Sequence, residues 1–327
     1  MFSRSRRAVS LATFTLIFGA VSSGQTFAQA PFPNKPIRLI VAVAPGGGAD
    51  TMGRMSAGKV SERLGVPVIV ENITGASGLL GIMTVVKATP DGYMLCINSS
   101  SSYNANMYSG KVGDPKKSLA PVAQLTSQPL VMMVTPSLPI HSMQELIAYG
   151  KKNPNGLNFA SQGIGTSGHL IGEIINQKTG LKMVHIPYKG TGPGILDVIS
   201  GRTEMAFGSP GAAAPHVRTG KLRVVAQSGG KRSAGLPDLP TMAEQGVDID
   251  WTSWFGIFTT FGAPRQNILT LNAAFNQAAA SPEMQKLFAT DGSDPSPGTP
   301  EQFGNNVNRV LDEGARLIKE LGLKLEE

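Results

Sequence analysis

The chain has 327 residues, 29 basic against 22 acidic, for a formal charge of +7, with 16% charged and 41% apolar residues. That apolar share excludes a disordered chain, and 39 glycines and 23 prolines with no triplet period indicate many turns, not a collagen-like or low-complexity fibre. At about 150 residues per domain, the length suits two domains.

Arg4, Arg6 and Arg7 precede the apolar run Ala8 to Val21, and Thr26 and Ala28 stand at the −3 and −1 positions of a cleavage site, so residues 1–28 are expected to be a signal peptide. The run is shorter than the ~20 residues of a bilayer helix, and the Arg6-Arg7 pair leaves a twin-arginine route open beside the general one. Cleavage lowers the charge from +7 to +4 and leaves no basic cluster interleaved with aromatics, so no nucleic-acid partner is expected.

The mature chain alternates short apolar runs with helical patterns, the signature of an α/β fold. Ile37 to Val43 predicts a strand that ends in Pro45-Gly-Gly-Gly48, after which Asp50 or Thr51 caps a helix carrying Met52, Met55, Val60 and Leu64. Val66 to Val70 is the next strand, Ser77 caps a helix through Val86, and Tyr93 to Ile97 is a third strand leading into Asn98-Ser-Ser-Ser-Ser-Tyr-Asn104. A second cycle follows: Leu130 to Val134 extended, a capping box at Ser142 and Glu145, strands at Leu157 to Ala160 and Val184 to Tyr188, a helix over Leu170 to Lys178, and strands at Glu204 to Phe207 and Leu222 to Ala226. Ser253 to Phe258 is extended again, and helices begin at Pro264, Ser281 and the Thr299–Gln302 capping box. The chain therefore leaves a first domain near residues 123–129 and returns near 251–257. The expected boundaries are 29–126 with 254–327 for a discontinuous domain 1 and 127–253 for domain 2, and the two crossings form a hinge with a ligand cleft between the domains.

Three glycine-rich segments sit between a strand and a helix: Pro45 to Asp50, Ser161 to Gly168 and Lys189 to Gly194. Exposed N–H groups at a helix start favour an anion, and glycine lets it approach the backbone. Gly163-Ile-Gly-Thr-Ser-Gly168 matches a dinucleotide fingerprint formally, but Tyr188 and Lys189 stand where its acidic residue belongs, so no nucleotide cofactor is expected. Ser167 and His169 suggest a hydrolase, yet the surrounding residues are not Gly-x-Ser-x-Gly and no acid is placed to orient the histidine. The four histidines and the lone Cys96 offer no local ligand spacing, so neither a metal nor a disulfide is expected, and Cys96 reads as a buried strand thiol. Hydroxyls of the Ser99-Ser100 run suit a carboxylate at the same cleft edge. Trp251 and Trp254 flank the return crossing as packing anchors or as ligand platforms.

Taken together, Pro33-Asn-Lys-Pro-Ile-Arg-Leu-Ile-Val41, Pro45-Gly-Gly-Gly-Ala-Asp50, Val70-Glu-Asn72, Pro90-Asp-Gly-Tyr93, Tyr188-Lys-Gly190, Pro215-His216, Gly220-Lys-Leu-Arg223, Leu236-Pro-Asp-Leu-Pro-Thr241 and Ser253-Trp-Phe-Gly256 resemble the extracytoplasmic solute receptors of tripartite tricarboxylate transporters, the Bug family. The resemblance runs from about Pro31 to the C-terminus. It implies a periplasmic, monomeric two-domain binding protein of type II fold, without catalytic activity, that closes on a small organic acid and delivers it to a two-subunit membrane permease. It also implies ligand contacts at Gly46, Gly47 and Gly48 of one domain and Gly165, Thr166 and Ser167 of the other. Asp50, Ser99, Ser100, Ser161, His169, Tyr188, Lys189 and Ser209 complete the expected ligand-binding set. The chain departs from the family at Val41-Ala42-Val43, where an aromatic is common, and at Gly208, where an acid is common. Those departures suggest a wider or less polar pocket and bring an aromatic carboxylate into range beside di- and tricarboxylates. Two alternatives stay open: an exported hydrolase using Ser167, and a receptor that signals without transporting.

Overall fold

The computed structural model describes residues 31–43, 45–46, 48–154, 156–188 and 190–323. The expected signal peptide lies outside the described residues, as do Gly47 and Lys189 of the ligand-binding set. β1 (Ile37–Val41) leads to α1 (Gly48–Leu64), β2 (Val68–Asn72) through a 3-10 turn (Ala76–Gly78) to α2 (Leu79–Val86), and β3 (Met94–Ser99) to α3 (Ser100–Tyr108). A single turn, α4 (Pro115–Ser118), precedes β4 (Leu119–Gln124), and β5 (Thr126–Pro129) carries the chain into β6 (Val131–Val134) and α5 (Met143–Lys152). Next come β7 (Asn158–Ser161), α6 (Ser167–Thr179), β8 (Val184–Pro187), α7 (Thr191–Ser200), β9 (Met205–Gly208), α8 (Pro210–Arg218) and β10 (Arg223–Gln227). β11 (Thr252–Ser253) and β12 (Phe255–Thr260) return the chain, and α9 (Arg265–Ala279), α10 (Pro282–Asp291), β13 (Asp294–Pro295) and α11 (Pro300–Glu320) finish it.

Two five-stranded sheets of identical design result, in the orders β2-β1-β3-β12-β4 and β8-β7-β9-β6-β10. In each, the first three strands are parallel and the fourth runs antiparallel to both neighbours. The antiparallel strands, β12 and β6, are the ones that arrive from the crossings. The crossings themselves pair, since β11 lies antiparallel to β5 with Ser253 opposite Gln128, and β13 covers the other edge of β5. Matching positions of the two sheets therefore carry matching loops: β1–α1 corresponds to β7–α6, and β3–α3 to β9–α8.

The parallel strands read as unbroken apolar runs because both faces are covered. Ile37, Leu39 and Val41 pack with Phe275, Met284 and Phe288 of α9 and α10, while Ile40 and Cys96 face Trp254, Phe258 and Phe303 on the other side. In the second sheet Phe159, Phe207 and Met132 pack with α5 and α6, and Val131, Ala160 and Ala206 with α7 and α8. Close approach requires glycine twice here. A Cβ on Gly172 of α6 would lie 2.2 Å from Phe159 Cε2, and one on Gly256 of β12 would lie 2.2 Å from Phe303 Cζ. Among the described residues no helix is long and apolar enough to cross a membrane.

Several local expectations change. The serine run after β3 is a helix, because the Ser99 side chain accepts from Ser102 N–H and Tyr103 and Met107 are buried, which outweighs poor serine and asparagine propensity. Gly78 in a left-handed conformation, not Ser77, stands at the N-cap of α2. α1 starts at Gly48, two residues before the expected cap. Ser142 caps α5, but Glu145 reaches back to the N–H of His141 at 2.6 Å instead of Ser142. The full capping box at Thr299 and Gln302 forms as expected. Trp251 and Trp254 are packing anchors, 1% and 0% exposed, with Trp254 at 5.1 Å edge-on to Phe303.

Candidate functional site

In the first lobe the loop after β1 is shaped by Asp50. Gly46 adopts φ +87°, open to glycine at little cost, and its N–H donates to Asp50 Oδ2 at 2.9 Å. Arg54 donates to the same oxygen at 3.1 Å and Asn72 Nδ2 to Oδ1 at 2.9 Å. These donors, Arg54 foremost, hold the Asp50 carboxyl down at about 2. The carboxylate is thus spent on the loop's shape, and it also neutralises the Arg54 guanidinium. Gly48 opens α1 against Phe255, whose Cζ would lie 3.2 Å from a Cβ there.

At the neighbouring strand end, Ser99 caps α3 and Ser100 Oγ meets Ser253 Oγ at 2.7 Å, tying α3 to the return crossing. Ser209 takes the equivalent cap position in the second lobe, accepting from Ala212 N–H at 3.3 Å. Two of the expected ligand hydroxyls, on Ser99 and Ser209, therefore serve as helix caps.

The second lobe's loop after β7 is built differently. Ser161 Oγ meets both Gly163 N–H, at 3.1 Å, and His185 Nε2, at 2.7 Å. Thr166 occupies the N-cap of α6, a residue type that normally caps, but its hydroxyl donates to the Gly163 carbonyl at 2.7 Å and no side chain caps the helix. The first N–H groups of a 13-residue helix are thereby left without a side-chain acceptor. Beside them Ser167 is fully buried and its Oγ has no hydrogen-bond partner. His169, one turn on, accepts from Gly165 N–H through Nδ1 at 3.1 Å and stacks on His185 with ring centroids 3.9 Å apart. Burial holds His169 down at about 4; burial together with the neighbouring ring holds His185 down at about 3. Both are neutral at neutral pH.

Tyr188 follows the adjacent strand, donates its hydroxyl to Asp197 at 2.7 Å and packs on Gly194, so it braces the β8–α7 loop. Gln162 Nε2 donates to Thr191 Oγ1 at 3.0 Å and links the two glycine-rich loops of this lobe. A Cβ on Gly208 would meet Thr191 Cγ2 at 2.7 Å and Met133 Cε at 2.9 Å, so the space that an acid would fill is occupied, not opened. The sequence pointed to neither His185 nor Gln162: each is an ordinary polar residue until the fold sets it against the β7–α6 loop.

An anion is what these elements suit: a helix start without its cap, a buried hydroxyl beside it, and a glycine-rich loop at the corresponding place in the other lobe. The arrangement gives Ser167 no base, because His169 Nδ1 is already engaged by Gly165 and its Nε2 lies 3.9 Å from Glu173. Among the described residues no cluster of three His, Cys, Asp or Glu side chains offers a metal site.

Residues 52–323 match the model of the tripartite tricarboxylate transporter family receptor. The protein BugT of Bordetella pertussis is 34% identical over 299 residues, which cover 90% of this chain and 92% of BugT. Among solved structures, the periplasmic binding protein BugD superposes with a TM-score of 0.75 at 28% identity, over 90% of this chain and 99% of BugD. The Rhodopseudomonas palustris protein Rpa4515 with adipate gives 0.78 at 28% identity, over 89% of this chain and 99% of its own. The two-domain α/β architecture is common to all of these structures.

Proposed function

Because the chain belongs to the tripartite tricarboxylate transporter receptor family, we propose that it is an extracytoplasmic solute receptor that binds a small carboxylate between its lobes and hands it to a two-subunit membrane permease. The observation that carries this reading is the uncapped start of α6, where Thr166 turns away and Ser167 stays buried without a partner. A ligand carboxylate there accepts the N–H groups and the Ser167 hydroxyl, and the loop at Gly46 meets it from the other lobe. Micromolar binding needs about −8 kcal/mol, and a few charge-assisted hydrogen bonds at roughly 1.5–3 kcal/mol each cover much of that. The relative Rpa4515 was solved with adipate, which supports a di- or tricarboxylate over an aromatic carboxylate, because the space at Gly208 is filled by Thr191 and Met133. Domain 2 spans 127–253, and the signal sequence directs the mature chain to the periplasm. The site carries out no chemistry on its ligand.

Native mass spectrometry of protein purified from the periplasm should find a small acid bound. Ser167→Ala should weaken its binding by about 1–2 kcal/mol in titration calorimetry. Turnover of ester substrates that vanishes in Ser167→Ala would overturn the reading in favour of a hydrolase.

A further inference from the structure

Buried polar side chains without partners are rare in folded chains, and each calls for an explanation. Asn104 is fully buried on α3, yet neither its Nδ2 nor its Oδ1 has a hydrogen-bond partner. Neighbours on the same helix are satisfied: Ser100, one turn earlier, bonds Ser253, and Tyr103 stacks at 4.6 Å on Phe258. α3 leaves the end of β3 that lies beside the end of β1, with Val41 opposite Ile97, so its first turns border the same edge as the loop at Gly46. α3 also packs against α6 of the other lobe, which carries the unpartnered Ser167 hydroxyl. Two helices in contact across the lobes thus each carry buried polar side-chain atoms without partners.

The chemistry of an amide narrows what satisfies it. A carboxylate is acceptor-only: it would serve Nδ2 and leave Oδ1 facing an anion. A hydroxyl both donates and accepts, and so satisfies both ends of the amide. Resting on the receptor reading above, we propose that Asn104 reads a hydroxyl on the ligand, so that the preferred ligand is a hydroxy-substituted carboxylic acid over its plain counterpart. A site built to bond a hydroxyl discriminates strongly against the analogue that lacks it, because its own polar groups are then left buried and unpaired.

The test is titration calorimetry of the mature protein with three matched pairs: succinate and malate, adipate and 2-hydroxyadipate, benzoate and 4-hydroxybenzoate. In at least one pair the hydroxylated member should bind about tenfold tighter or more. Asn104→Leu, close in shape and apolar, should bring that ratio to within about threefold by weakening the hydroxy acid alone. Asn104→Asp keeps the shape but replaces the donors with a negative charge, so it should weaken the hydroxy acid about tenfold or more, and it reads the same contact should the leucine variant fold poorly. If acids bind but no pair differs beyond about threefold, or if the preference survives both variants, Asn104 holds only ordered water and the inference is overturned while the receptor reading stands. If none of the six acids binds, this inference is overturned; the receptor reading falls with it only when native mass spectrometry of the periplasmic protein also finds no bound acid.

Discussion

The stacked pair His169 and His185 makes the β7–α6 loop sensitive to acid. Both rings are held below the ordinary histidine value of 6.5, His169 at about 4. The groups facing them are Phe159, at 5.1 Å from the His185 ring, the Ser161 hydroxyl, the Gly165 N–H and the carboxyl of Glu173, 3.9 Å from His169 Nε2. Burial pushes the Glu173 carboxyl above its usual range. The unfolded chain takes up a proton near 6.5 and the native His169 only near 4, so stability is full above the unfolded value and falls as pH drops towards the folded one. For His169 alone that amounts to about 2 kcal/mol between about pH 7.5 and about pH 5, and His185 adds to it in the same direction. Protonation at Nδ1 also ejects the Gly165 N–H, so the loss begins in the loop that precedes α6. Urea unfolding at the two pH values should show a drop of this size that is absent from a His169→Asn/His185→Gln double variant, whose other titrating groups are unchanged. An equal drop in the double variant would refute the assignment.

Cys96 lies fully buried on β3, and its thiol is pushed up to about 12 by that burial, so a thiol reagent should label it only after denaturation, as read by mass spectrometry. Gly256→Ala places a methyl 2.2 Å from Phe303 Cζ, within the rigid cluster of Trp254, Phe258 and Phe303, and should lower unfolding stability by about 1–3 kcal/mol with ligand contacts untouched. Small-angle scattering should give a smaller radius of gyration with a bound acid than without it, since a ligand held by both lobes stabilises the closed form; superimposable curves would count against closure on the β5 and β11 crossings.

The architecture was legible because it rests on local signals. The strands β1 and β7 run into glycine-rich loops, and the helices capped at Ser281 and Thr299 start where a capping residue precedes a proline. The site was legible only in outline. That Pro45 to Gly48 and Ser161 to Gly168 are the corresponding loops of two sheets follows from strand order, and strand order is set by pairing between residues as far apart as Ile97 and Ile257. Which hydroxyls remain for a ligand was not legible at all. Ser99, Ser209 and Thr166 look alike in sequence, yet the first two cap their helices and the third does not. The difference lies in the turn at Gly163, whose carbonyl accepts a hydrogen bond from the Thr166 hydroxyl at 2.7 Å. The run through Asn104 reads as polar groups at the cleft edge, but that its asparagine is buried without a partner follows only from the helix α3.

The last helix constrains how the proposed closure proceeds. Phe303, Val307 and Leu311 of α11 belong to the first lobe's core, but Val310 and Leu317 pack in the second lobe's core with Ile174 and Trp251. Tyr108 of α3 donates to the Val310 carbonyl at 3.0 Å, and a Cβ on Gly314 would collide with its ring, so α3 and α11 are locked together where both lobes meet. Two paired strands and one shared helix therefore join the lobes, which leaves few rotations that do not tear a core. A pivot along α11 keeps its contacts on both sides while the strand ends that carry Gly46 and Thr166 swing towards each other. Asn104 lies on α3, the helix that Tyr108 ties to α11. Asn104 is fully buried beside that joint, so a ligand group that reaches it does so only where the lobes are packed together.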